Sequence, residues 1–339
     1  MAKSLVVIGG SVAQQDALTR YVTITGVLSQ SASITEADAE FPVRFAGTFR
    51  DLYVYVSANT HTTANTVITV RKSRVDTGIT VTYSATQTGI KEDTSNTSSF
   101  ANTDEVDYKV VTDANTGTTS TTFKAFQLTF DPSADTVSFL FGMALNSTTG
   151  FSTASATRYS GITGATVQNT TTEANVKTRI RFACTASNFF ANVSTNTRTT
   201  NTIFGTRKNG ANGNQSVTYT SGQTGIKEDV TNPDSLAVGD DYNYRITSST
   251  GTGTITIRST GGSTLVSTGG NFYVGGTLGG TGIINFNSTV YSALDFANAP
   301  VATEADAQTR PNFTFTAKEL ISYVSANTIA TSPTNIYLR

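Results

Sequence analysis

Apolar and polar residues alternate over short stretches along most of the chain, and no stretch longer than about ten residues keeps a helical spacing. A period of two puts successive side chains on opposite faces of a strand. In the first part of the chain the pattern predicts strands at 21–30, 41–48, 52–56, 66–71, 79–83, 106–112, 122–130 and 136–143. Asp76-Thr77-Gly78, Asp113-Ala114-Asn115 and Asp131-Pro132 supply turn chemistry between them. A second series follows at 179–185, 189–193, 202–207, 216–220, 242–247 and 254–259. Helix is confined to a turn or two at 12–19 and to Thr35-Glu36-Ala37-Asp38-Ala39-Glu40, which reads as a short capped connector between strands.

The two series are copies. Val81-Thr82-Tyr83 and Gln87-Thr88-Gly89-Ile90-Lys91-Glu92-Asp93 return 136 positions later as Val217-Thr218-Tyr219 and Gln223-Thr224-Gly225-Ile226-Lys227-Glu228-Asp229. Val56-Ser57-Ala58-Asn59-Thr60 returns at 193–197 and again at 324–328, and the Thr-Glu-Ala connector returns at 172–174 and 303–305. A period of this length is a whole domain and not a solenoid repeat. The expected organisation is an N-terminal arm at 1–19, units at 20–156 and 157–288, and an incomplete third copy at 289–339. A few strands alone leave an apolar face and unpaired edges, so the third copy is expected to pack on a neighbouring subunit or on 1–19. Glu319, Tyr323, Val324, Ile336 and Leu338 are its candidate assembly residues.

Composition sharpens this to an all-β class. Threonine supplies about one residue in five, Trp is absent, and charged residues are 14% of the chain against a usual ~25%. The net charge of −1 and the absence of like-charge runs argue against nucleic acid as a partner. No stretch has the length of a membrane span or the pattern of a signal peptide, so synthesis in the cytoplasm is expected.

Candidate chemistry is sparse. Glu92, Asp93 and Asp104, with Glu228 and Asp229 in the second copy, are the oxygen donors that could hold Ca²⁺, though their spacing fits no EF-type loop. The competing reading is a solvated hairpin shoulder with Lys91 and Asp93 in surface ion pairs. Glu92 and Asp93 are adjacent and face opposite ways in a strand, which excludes a glycosidase pair. His61 is the lone histidine and becomes Arg198 in the second copy, and Cys184, the lone cysteine, aligns with Gly47. Neither supports a metal site, a disulfide or a nucleophile–base pair, and no cofactor is implied. Tyr53, Tyr55, Tyr83, Tyr219, Tyr242 and Tyr244 could stack on sugars but fit a strand core better.

The order of phrases is a Thr-Glu-Ala-Asp turn, an Arg-Phe-Ala strand, Val-Ser-Ala-Asn-Thr, Arg-Lys, Thr-Gly-Ile-Lys-Glu-Asp, then Asp104 followed after three residues by Tyr108-Lys109-Val110. That order resembles the jelly-roll modules of tailed-bacteriophage structural proteins and phage-like gene clusters, which share the tumour-necrosis-factor-like architecture. The resemblance implies two tandem jelly-roll-type β-sandwiches in a non-enzymatic virion component of head, neck or appendage. It implies other copies of itself and other virion proteins as partners. The alternative is a carbohydrate-binding adhesin or surface-filament subunit.

Overall fold

The computed structural model describes residues 4–15, 17–24, 26–27, 35–114, 119–134, 137–144, 156–162, 171–266 and 335. Apart from Asn335, the third copy, with Glu319, Tyr323, Val324, Ile336 and Leu338, lies outside the described residues. The described chain is nearly all strand. Its only helical elements are two 3-10 turns, Glu36–Asp38 and Glu173–Val176. No helix among the described residues is long and apolar enough to cross a membrane.

The first unit comprises β1 (Ser4–Gln15), β2 (Thr19–Val22), β3 (Gly26–Val27), β4 (Phe41–Pro42), β5 (Gly47–Asn59), β6 (Thr66–Lys72), β7 (Val75–Tyr83), β8 (Gly89–Phe100), β9 (Glu105–Thr112) and β10 (Ser120–Pro132). They form one sheet in the order β3-β1-β10-β5-β8 and a second in the order β2-β9-β6-β7, with β4 also on β9. The second unit comprises β11 (Val137–Ala144), β12 (Thr157–Ser160), β13 (Thr178–Arg179), β14 (Cys184–Asn196), β15 (Thr202–Lys208), β16 (Ala211–Tyr219), β17 (Gly225–Asp229), β18 (Asp234–Leu236), β19 (Asp241–Ser248) and β20 (Ile255–Val266). Its sheets run β11-β20-β14-β17 and β12-β19-β15-β16, with β18 on β14 and β13 on β19. In each unit the two sheets share one core. Phe49, Leu52, Val54, Val56, Phe126 and Leu128 of one sheet meet Ile68, Val70, Val81, Tyr108 and Val110 of the other. Two β-sandwiches result.

The copies match in detail. Asp51 and Asn188 both have positive φ, 55° and 56°, at the same bulge in β5 and β14. Gly89 and Gly225 open β8 and β17 at φ 90° and 84°, which explains why this phrase keeps its glycine. Gly47 and Cys184 open β5 and β14. A Cβ on Gly47 would sit 2.4 Å from the Phe130 ring, and the position matching Phe130 in the register of β20 is Thr264. The smaller threonine makes the room that the cysteine fills. Cys184 is buried, and burial pushes its thiol up to about 11.

Three boundaries differ from those the pattern predicts. Residues 4–15 are no arm: β1 pairs along β10 from Ser4↔Phe130 to Gln15↔Ser120, so 12–15, expected to open a helical turn, are strand. The strand expected at 136–143 to close the first unit is β11, Val137–Ala144, which pairs with β20 of the second. The local pattern marks both as strands or apolar runs but cannot say which ladder takes them. The phrase Gly89–Asp93 is the start of a full strand, β8, on the edge beside β5, and not a hairpin shoulder.

Candidate functional site

The Glu36–Asp38 turn and β4 of the first unit seat on the outward face of the second unit's β14-β17-β20 sheet. Phe41 and Phe190, each 1% exposed, meet edge to face at 5.0 Å with planes at 88°. Phe190 thereby joins the first unit's core, and Ile226 packs beside it. Asn192 Nδ2 donates to the Ala37 carbonyl at 2.8 Å. Two ion pairs flank the aromatic contact: Arg258 Nη2 to Asp38 Oδ2 at 2.8 Å, and Arg44 Nε to Glu228 Oε1 at 2.7 Å. All four charged side chains are mostly covered, at 14–22% exposure. A buried aromatic centre with a charged rim is the anatomy of a specific interface.

A repeated network fixes the turn. Arg71 on β6 holds Glu36 through two bonds of 2.8 and 3.0 Å, and Arg207 on β15 holds Glu173 at 2.9 and 3.1 Å. Such forked pairs set orientation as well as strength. The connector's first residue, Thr35, makes no side-chain cap, so the arginine takes the place of the expected capping threonine. Beneath this network lies Asp107, fully buried, with neither carboxylate oxygen hydrogen-bonded. Burial pushes its carboxyl up to about 8, and the nearby negative charges of Glu36, Glu40 and Glu105 add to that while Arg71 opposes it. The second unit has Asn243 at this place, bonded to Glu173.

The predicted oxygen donors are not brought together. Asp93 is buried and accepts from the amides of Thr80 (2.9 Å), Ser95 (3.2 Å) and Asn96 (3.1 Å) and from Asn96 Nδ2 (3.0 Å). Asp229 repeats this with Ser216, Thr231 and Asn232. Burial alone would raise both carboxyls, but these bonds outweigh it and hold both below the ordinary range. Glu92 and Glu228 point to the opposite face of their strands, where Glu228 meets Arg44. Asp104 accepts from the Ala101 amide at 2.7 Å and pairs with Lys72 at 3.2 Å, closing its own turn. Lys91 does not pair with Asp93; it lies over the Tyr83 ring at 5.3 Å and bonds Gln87. No group of three His, Cys, Asp or Glu suited to a metal ion occurs among the described residues.

His61 is fully buried, with Nδ1 2.7 Å from Thr119 Oγ1. Arg198 plugs the same place in the second unit and donates to the Ser249 carbonyl at 2.7 Å. Tyr83, Tyr219, Tyr242 and Tyr244 are at most 1% exposed and offer no face to a sugar, and Tyr53 is 2% exposed. One polar cluster is peculiar to the second unit. Buried Asp234 accepts from Thr206 Oγ1 (2.6 Å), Tyr242 OH (2.9 Å) and the Asn214 amide (2.7 Å). The first unit buries Val70 and Val106 where Thr206 and Tyr242 stand, so the cluster is an alternative core packing.

Sequence reading located Glu228 and the connector but not their partners. Arg258, Phe41, Phe190 and Asn192 lie outside the repeated phrases, Arg44 opens the Arg-Phe-Ala phrase without any sign of its partner, and only the register of the sheets brings them to one place. A scan against models of known protein families finds no match, and a search of curated proteins finds none.

Proposed function

We propose that the chain is a non-enzymatic structural protein of a virus particle, a head, neck or appendage component of the tailed-phage kind, working through packing of repeated sandwiches. The observation that carries this reading is the joint between the units. The most frequently repeated charged residues of the chain, those of the connector and of the Gly-Ile-Lys-Glu-Asp phrase, serve to fix that joint and the loops behind it. Among the described residues, the repeated charged groups fix turns within each unit and one side of the joint between them. The carbohydrate-binding alternative loses its best residues to the core, since four of the six tyrosines it would use are at most 1% exposed.

Immunogold labelling of purified particles tests the reading. Antibody raised against the protein is expected to mark one fixed location on intact particles. Label confined to the cell envelope, together with specific hits on a glycan array, would replace the virion reading with the adhesin.

A further inference from the structure

Val106, Tyr108 and Val110 on β9 face the core of the first unit, so Asp107 between them points to the outer side of its sheet. An outward carboxylate is ordinarily wet, yet Asp107 is fully buried and neither oxygen has a hydrogen-bond donor. The connector covers it. Glu36 of the connector and Glu40 just beyond lie close enough to bear on its charge, and β4, which follows, pairs on β9 at Val106 and Glu105. The same connector is the first unit's half of the joint: Ala37 accepts from Asn192, Asp38 pairs with Arg258, and Phe41 meets Phe190. One short segment therefore lies over a buried acid on one side and holds the second unit on the other.

The cations around Asp107 are already engaged. Arg71 is its cross-strand partner on β6 but is committed to the Glu36 fork, to Asp76 and to the Arg74 carbonyl. Lys109, two residues along β9 on the same side, pairs with Asp76 of β7. Arg74 is drawn off by Glu40 at 2.5 Å. Tyr21 of β2 stands opposite Lys109, and Glu105 completes the surroundings on β9, with Arg44 and the second unit's Glu228 beyond it. A buried anion without a partner is too costly to persist. Ionised Asp107 has two remedies: Arg71 leaves Glu36 for it, or water reaches it. Either one lifts the connector.

We propose that the joint between the two sandwiches is a proton-linked latch: the connector lies down on the second unit with Asp107 protonated, and the joint loosens as that proton is lost. In the closed state burial and the neighbouring acids hold the proton on Asp107 up to about 8. Once the connector lifts, the wetted carboxyl ionises near its ordinary value. Between those values the closed state binds the extra proton, so opening becomes easier as pH rises and levels off above the upper value. The second unit has Asn243 at this place, bonded to Glu173, and its connector lacks the acid that would make it respond.

Hydrogen exchange of the full chain, read by mass spectrometry between about pH 6 and about pH 8 and corrected for intrinsic rates, tests the proposal. The amides of Asp38, Ala39 and Val43, bonded to the carbonyls of Thr35, Glu36 and Asp104, report the first connector. The Asn175 amide, bonded to the Thr172 carbonyl, reports the second. Protection of the first three should fall by up to about tenfold per pH unit while Asn175 stays level. Asp107→Asn should abolish the slope. In calorimetry the two units should melt further apart at the upper pH than at the lower in the wild type, and not in Asp107→Asn. A level wild-type profile, or the same slope at both connectors, overturns the proposal without recourse to any variant. A slope that survives Asp107→Asn would move the proton to Glu105, whose carboxyl burial and Glu40 also raise, and overturns it too. Opening of the connector with no change in how the units melt would confine the event to the first unit and deny the latch. None of these results bears on the particle reading, which stands or falls on where the antibody binds.

Discussion

Asp107→Asn should stabilise the first unit, by an amount that depends on pH. In the unfolded chain this carboxyl ionises near its ordinary value of about 3.9. In the folded protein it keeps its proton up to about 8, because burial and the charges of Glu36, Glu40 and Glu105 disfavour the anion. Between those values the folded state binds more protons than the unfolded one, so stability falls as pH rises and levels off above the upper value. At pH 7 the interval crossed is about three pH units, an upper bound of about 4 kcal/mol at ~1.4 kcal/mol per unit. Relaxation around the site reduces the measurable gain to about 2–3 kcal/mol. Asparagine keeps the shape without the charge, and Asn243 with Glu173 shows that the same surroundings accept it. The assay is urea unfolding followed by circular dichroism or tyrosine fluorescence, the chain having no tryptophan. The gain should exceed about 2 kcal/mol at pH 7 and shrink below about 1 kcal/mol at pH 4.5. An equal gain at both pH values, or none at pH 7, would refute the reasoning.

Four further outcomes follow from the same geometry. Gly47→Cys should cost about 1–3 kcal/mol through its clash with Phe130, and should cost at least ~1 kcal/mol less in a Phe130→Thr background; thermal melts of the four proteins in the cycle decide this. Phe190→Ala should cost about 3–5 kcal/mol and separate the melting of the two units in calorimetry, where a single unchanged transition would deny the joint its role. Asp229→Ala should lose about 1–3 kcal/mol at neutral pH; its depressed carboxyl stabilises the folded state above about pH 4, so the deficit should close as acid titrates the wild type, as urea midpoints taken down the pH scale will show. Gly225→Ala should cost about 1–2 kcal/mol because φ is +84° there, and an unchanged melting temperature would mean that the turn relaxes.

Class and duplication were legible because both are written locally. Alternation declares a strand wherever a face is buried, and the offset between Val81–Asp93 and Val217–Asp229 survives into matched strands, β7–β8 and β16–β17. What escaped was everything decided by pairing between distant segments. The apolar run at 137–144 fits either unit by pattern, and only its ladder with β20 assigns it. β8 went unread because its outer half, Thr94 to Ser99, is polar and mostly exposed on an edge, with little apolar alternation to betray it. The joint escaped for a related reason. Phe41 and Phe190 read as ordinary core residues of their own units, and their meeting depends on how whole sheets dock. Asp93 and Asp229 were misread as solvated because acidic residues usually are; the segments they bind, the stretch of β8 at 94–96 and the loop at 230–232, carry no signal until folded.

The way each unit begins and ends has a mechanical consequence. β1 enters beside the end of β10, with Ser4 opposite Phe130, so the chain leaves the first sandwich at the edge where it entered. β11 and β20 repeat this in the second, with Val137 opposite Leu265. Tension applied through the chain ends of such a unit loads the hydrogen bonds of its terminal ladder in succession, as in opening a zipper, and not all at once as in shear. Each sandwich taken alone should therefore yield at low force, beginning with its first strand. Resistance to pulling must come from elsewhere, and contacts between the units, among them the Phe41–Phe190 rings, the Asn192–Ala37 bond and the ion pairs around them, are placed to supply it.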